Sequence, residues 1–196
     1  MPVPFVGLTG GLGAGKSTAL AALERLGAAT LSTDAVVHDL YQSDEVRRAV
    51  VDRWGPEMAP GGVVDRSVVA TKAFASPDER QWLEELLWPR VGQRVAEWRE
   101  EVSARAEKPL AAVVETPLLF EAGLEGLYDA TVAVVAPEGI RAARAAERGH
   151  EAVDERAARQ LPQDEKARRA TYAVENSGSV EDLEAKLSEV LSSLNR

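Results

Sequence analysis

Short apolar runs alternate with stretches of helical spacing along this chain, and that alternation predicts a parallel sheet covered on both faces by helices. Five runs qualify as strands: Phe5 to Thr9, Ala28 to Leu31, Leu110 to Val114, Thr131 to Val135 and Tyr172 to Val174. The intervals between them read as helices. After the first strand, Leu20, Leu23 and Leu26 fall on one helical stripe, which Gly27 closes. Near the far end, Leu183, Leu187, Val190, Leu191 and Leu194 give Val180 to Leu194 a single apolar face.

Two intervals break the simple alternation. From about 33 to 109 no strand pattern recurs, and the interval holds all four tryptophans, Trp54, Trp82, Trp88 and Trp98. It is expected to be a helical insertion with the tryptophans in its own small core. Within it, Asp78 to Leu87 has helical spacing that Pro89 is expected to break or kink, and Gly61-Gly62 marks a loop. The second interval, Arg141 to Arg169, carries eight basic and six acidic residues in a chain of formal net charge −9. Arg141, Arg144 and Arg148 are spaced three and four apart and share a helix face.

The chemistry is announced between the first strand and the first helix. Gly10 to Ser17 reads Gly-Gly-Leu-Gly-Ala-Gly-Lys-Ser, a complete G-x-x-x-x-G-K-[ST] loop in its strand–loop–helix setting. A polyphosphate needs many N–H donors at close range, so the backbone must curl around it without intervening Cβ atoms. Lys16 is placed to reach the β- and γ-phosphates, Ser17 to ligate Mg²⁺, and the first turn of the helix to direct its N–H groups at the anion. The substrate class is a nucleoside triphosphate.

At 196 residues and 45% hydrophobic content, the chain suits one α/β domain with insertions. The negative balance gives no support for nucleic acid or an anionic membrane surface as partner, so a phosphate must be held by locally concentrated positive charge. With no cysteine there is no disulfide, thiolate site or cysteine nucleophile. His38 and His150 lack a metal-ligand spacing. No leader pattern precedes the first strand and no apolar run is long enough to span a bilayer, so a soluble, cytoplasmic protein is expected. Oligomeric state leaves no mark in the sequence.

A phosphate loop alone does not separate a kinase from a switch. The guanine-reading Asn/Thr-Lys-x-Asp motif is absent, since Thr71-Lys72-Ala73-Phe74 lacks the aspartate; so is the Leu-Ser-Gly-Gly of transporter ATPases. Asp34, just past the second strand, stands at the carboxyl edge where open α/β sheets bind ligands. Its position fits a base for an attacking hydroxyl or a helix N-cap equally well. Arg144 and Arg148 offer positive charge for the transferring phosphoryl group.

Gly7 to Thr18, Ser32-Thr33-Asp34-Ala35, Val64-Asp65-Arg66, Pro117-Leu118-Leu119-Phe120-Glu121, Gln160 to Lys166 and Asn176-Ser177-Gly178 together resemble the dephospho-coenzyme A kinases over nearly the whole chain. The resemblance implies a P-loop kinase fold. That fold has a five-stranded parallel core (about 1–38, 108–138 and 166–196), a helical coenzyme A-binding insertion (about 39–107) and a lid (about 139–165). It implies ATP-dependent, Mg²⁺-assisted phosphorylation of the ribose 3′-hydroxyl of dephospho-coenzyme A. Gly11, Gly13, Ala14, Gly15, Lys16, Ser17, Thr18 and Asn176 would hold the nucleotide, Ser17 the metal, and Lys16, Asp34, Arg144 and Arg148 would carry the reaction. Glu115, closing the third strand, ranks below Ser17 as a holder of a metal-bound water.

The chain departs from the family pattern in four places. Ser32 replaces the first aspartate of Asp-Ala-Asp, Trp88-Pro89 replaces His-Pro, Arg141 replaces a glutamine, and Ala170-Thr171 replaces Ala-Asp. The rival readings are another P-loop kinase acting on a nucleoside or small alcohol, and a nucleotide-dependent binding switch.

Overall fold

The computed structural model describes residues 2–147 and 160–196. Its strands are β1 (Phe5–Gly10), β2 (Ala29–Ser32), β3 (Ala112–Glu115), β4 (Ala130–Val135) and β5 (Tyr172–Glu175). They form one parallel sheet in the order β2-β3-β1-β4-β5. Every expected strand is present, with ends shifted by no more than two residues. All six residues of β1 are buried, as a central strand covered on both faces requires.

The helices are α1 (Lys16–Arg25), α2 (Thr33–Gln42), α3 (Asp44–Trp54), α4 (Arg66–Phe74), α5 (Pro77–Ser103), α6 (Glu138–Glu147), α7 (Gln163–Arg169) and α8 (Val180–Leu194). The main core joins Val6 and Leu8 of β1, Val113 of β3, Val132 and Val134 of β4, and Ala19, Ala22 and Leu23 of α1 to Leu183, Leu187, Val190 and Leu191 of α8. Each large aliphatic side chain fully buried there contributes about 1.5–3 kcal/mol of transfer free energy. Ser179 caps α8 by accepting from the Asp182 N–H, while Asp182 accepts from the Ser179 N–H, a reciprocal box that fixes where the helix starts.

The chain divides into two compact units, Thr33–Trp98 and the remainder. All of α2 belongs to the first, and the last turn of α5, from Arg99, to the second. The helical unit has its own core of Tyr41, Val46, Val50, Met58, Val64, Val69 and Leu87, flanked by Trp54 and Trp82. Those two rings meet edge to face with centroids 4.9 Å apart. Burial pushes the Tyr41 hydroxyl up to about 12, against the opposing pull of the Arg66 charge.

Two expectations for this unit need correction. Pro89 does not end its helix: α5 runs through it for 27 residues, with the Arg90 guanidinium donating to the Leu86 carbonyl in the adjoining turn. The proline removes one N–H from the helix ladder without ending it. The tryptophans are also not uniformly core. Trp98 is buried, but Trp88 is 53% exposed.

Candidate active site

The candidate site begins where β1 ends at Gly10 and the chain turns through Gly11 to Gly15 into α1. Gly15 caps α1 in the left-handed region, at φ 95° and ψ 31°, which an L side chain adopts only at a cost. Contacts behind the loop add a second demand for glycine. A Cβ on Gly15 would lie 2.1 Å from Asn176 Nδ2, and one on Gly13 would lie 2.4 Å from the Arg141 carbonyl oxygen. The loop is therefore shaped by the groups packed against it as well as by its own turn.

Three side chains bond to the loop backbone. Asn176, continuing from β5, is buried and donates from Nδ2 to the Ala14 carbonyl at 2.9 Å. Arg141 of α6 donates from Nε to the Leu12 carbonyl at 3.0 Å, and its Nη1 pairs with Glu138 at 2.7 Å. The Leu12 N–H donates to Gln160 Oε1 at 3.1 Å. One loop residue is thus held by its carbonyl from α6 and by its N–H from the segment leading into α7.

The expected site residues occupy distinct places. Lys16 is half-buried, and its ammonium donates to the carbonyls of Gly10 at 3.2 Å and Gly11 at 3.3 Å. Ser17 is exposed and Thr18 half-buried in the first turn of α1, whose leading N–H groups have no partner within the helix. Arg144 donates from Nη1 to the Asn176 carbonyl at 3.3 Å. Glu115 is buried at the end of β3, paired in register with Ser32 at the end of β2. Arg148 and His150 lie outside the described residues.

Asp34 stands exposed two residues beyond β2. Since α2 begins at Thr33, Asp34 sits inside the first turn and does not cap the helix. The contrast with Asp65 is direct: that carboxylate caps α4, accepting from the N–H groups of Ser67 and Val68.

Sequence reasoning gave no role to a buried ion pair next to the loop. Lys166 of α7 is fully buried, and its Nζ donates to Glu121 Oε1 at 2.9 Å and to the Pro117 carbonyl at 2.7 Å. Burial draws its pKa below the ordinary lysine value, while the hydrogen bond and charge of Glu121 oppose that shift. The motifs that carry the family resemblance contain both residues. A lysine at a core-facing helix position was the only signal of pairing.

A parallel sheet ordered 2-3-1-4-5, whose central strand feeds a glycine loop and a lysine at the helix start, defines a P-loop kinase fold. Comparison with known proteins narrows the class. The family model described as dephospho-CoA kinase matches residues 4–182. Dephospho-CoA kinase from Anaeromyxobacter dehalogenans is 39% identical over 194 residues, covering 96% of this chain and 91% of its own. A solved protein from Thermus thermophilus is 36% identical with a TM-score of 0.79, over 99% of both chains. Dephospho-CoA kinase from Campylobacter jejuni, 20% identical with a TM-score of 0.66 over 97% of both chains, shares the fold.

The chain belongs to the dephospho-CoA kinase family. Its activity is phosphorylation of an alcohol group of dephospho-coenzyme A at the expense of ATP, the final step of coenzyme A synthesis, and neither rival reading is favoured. Among the described residues, no helix is long and apolar enough to cross a membrane.

Proposed function

We propose that phosphoryl transfer to the ribose 3′-hydroxyl is carried by Lys16, Asp34, Arg144 and Arg148, with the nucleotide held by Gly11, Gly13, Ala14, Gly15, Ser17 and Thr18. The observation that carries this reading is the lysine ammonium resting on the carbonyls of Gly10 and Gly11, beside a backbone cradle braced by Arg141 and Asn176. Those carbonyls hold the charge in place until phosphate oxygens, far stronger acceptors, replace them. Asp34, exposed and not engaged as a cap, is available to accept or orient the acceptor hydroxyl proton. Arg144 supplies charge to the transferring group, and Arg148, four residues later in the sequence, is assigned the same role. Asn176 contributes to nucleotide binding through the loop, by fixing the Ala14 carbonyl.

The exposed Ser17 hydroxyl at the start of α1 fits a hard cation that prefers oxygen ligands, and Mg²⁺ bound there would neutralise charge on the β- and γ-phosphates. To buried Glu115 we assign the holding of a water of that ion. The setting we assign is the cytoplasm.

The test is ADP release by the purified chain with Mg-ATP, measured alone and with dephospho-coenzyme A, adenosine or shikimate. ADP release is expected only with dephospho-coenzyme A, and Lys16→Ala is expected to lower turnover by about 10²- to 10³-fold, the usual scale for removing one transition-state donor. Near-normal turnover in that variant overturns the assignment.

A further inference from the structure

Lys166 is the charged side chain with no solvent exposure among the described residues, and nothing in the reaction as assigned uses it. A charge in such a place is costly unless every proton on it is matched. The way its ammonium is matched points toward the phosphate loop along two short routes.

The first route passes through Pro117. Its carbonyl accepts from Lys166 Nζ at 2.7 Å and also from Thr9 Oγ1 at 3.2 Å. Thr9, itself fully buried, directly precedes Gly10. The second route passes through Glu121, whose Oε1 takes Lys166 Nζ at 2.9 Å and the Leu161 N–H at 2.7 Å. The neighbouring Gln160 holds the Leu12 N–H. The routes therefore end on Thr9 and Leu12, the two residues flanking Gly10 and Gly11. Those glycines are the residues whose carbonyls seat Lys16.

The stretch that carries Lys166 is fixed at further points. Gln163 bonds reciprocally with the backbone of Ala136, its Nε2 donating to the carbonyl at 2.9 Å and its Oε1 accepting from the N–H at 3.2 Å. Arg169 pairs with Glu125 and lies over the Phe120 ring at 4.9 Å. This anchoring lets a shift at Lys166 be felt at the loop instead of dissipating in α7.

We propose that Lys166, through its pair with Glu121, is a positioning residue that fixes the entry of the phosphate loop and so the seat of the Lys16 ammonium. The inference rests on the reading of Lys16 given under the proposed function. An apolar residue of similar length would fill the same space, and buried ion pairs are commonly replaced by such residues without loss of stability. Holding one backbone geometry is what the ammonium adds.

The test uses Lys166→Met combined with Glu121→Gln, which removes both charges while leaving an oxygen to accept from Leu161 N–H. Steady-state kinetics are read well below the melting temperature, with Gln160→Ala and Lys16→Ala in parallel. For the double variant, turnover is expected to fall about 10- to 100-fold, the scale of a small misplacement of reacting groups. KM is expected to rise for ATP and stay unchanged for dephospho-coenzyme A. Gln160→Ala, cutting only the Leu12 route, is expected to raise KM for ATP by a few-fold at unchanged melting temperature.

Wild-type turnover and KM for ATP in a folded double variant overturn the inference, because a purely structural pair would show itself only in the melt. If the double variant does not fold, Gln160→Ala decides: an unchanged KM for ATP overturns the inference and a raised one supports it. Loss of activity in Lys16→Ala beside silent variants at 166, 121 and 160 refutes this inference alone. Retained activity in Lys16→Ala refutes the underlying reading, and this inference with it.

Discussion

The two units of the chain use polar side chains differently. In the sheet unit they reach across the sequence to backbone atoms: Asn176 to Ala14, Arg141 to Leu12, Gln160 to Leu12, Gln163 to Ala136 and Lys166 to Pro117. In the helical unit they mostly pair with one another or with backbone a few residues away. Glu79 receives Arg53 at 3.0 Å and Trp54 Nε1 at 2.7 Å, Arg66 meets His38 at 3.0 Å, and Ser43 and Asp65 cap their own helices. Side chains that bond to distant backbone dictate where the main chain goes, whereas side-chain pairs on helix surfaces follow from helices already placed. The first arrangement builds a cradle of N–H groups, and the second leaves its surface open to substitution.

Asp34 is the exception to that tolerance, the residue of the helical unit assigned to the chemistry, so its substitution carries the largest expected effect. Asp34→Asn is expected to lower turnover by about 10²- to 10⁴-fold, the range for loss of a general base. ATP binding and melting temperature should stay nearly unchanged, since the carboxylate caps no helix. Normal turnover would remove the base from α2.

Gly15→Ala against Gly61→Ala gives a sharper but smaller contrast. Both glycines have positive φ, 95° and 64°, but a Cβ at Gly15 meets Asn176 whereas one at Gly61 meets nothing within 4 Å. Denaturant unfolding should show a loss of about 1–2 kcal/mol at Gly61 from the left-handed backbone alone. The loss at Gly15 should be larger and accompanied by weakened ATP binding. Equal losses would mean that Asn176 yields freely and the loop is not braced.

The smallest effect belongs to the cap at Asp65. The Ser67 hydroxyl, then the N–H groups of Val68 and Ser67, hold its pKa below the ordinary value of 3.8. A carboxylate depressed in the folded state stabilises above its unfolded pKa, and that contribution is lost as pH falls through the folded value. Asp65→Asn should therefore melt about 1–3 °C below wild type at pH 7, with the gap closing as pH is taken below 3.8. A gap that persists in acid would assign the cap's value to geometry instead of charge.

Much of this was legible because it follows from local patterns. Alternating apolar runs located all five strands, and Leu183, Leu187, Val190, Leu191 and Leu194 delimited α8 to the residue. The motif at Gly10 to Ser17 announced a phosphate loop because the chemistry demands glycines at fixed spacing. Of the break or kink expected at Pro89, the break does not occur, since the helix continues through it. Trp88 misled because size favours burial, whereas position on α5 decides it. The partnership of Lys166 with Glu121 joins residues forty-five apart, and no local period encodes it. Asn176 was singled out for the ligand, yet its amide faces the loop backbone, a geometry that only the fold supplies.

The order of strands also sets a schedule for the newborn chain. β1 occupies the middle of the sheet, but its neighbours begin at Ala112 and Ala130, more than a hundred residues later, with the whole helical unit made in between. At ordinary synthesis rates of about 5–20 residues per second, Phe5-Val6-Gly7-Leu8 waits roughly 5–20 s for its first hydrogen-bonded partner. Ribosome-bound chains stalled before residue 112 should present this segment to chaperones, and chains stalled far enough past residue 135 for β4 to clear the exit tunnel should hide it.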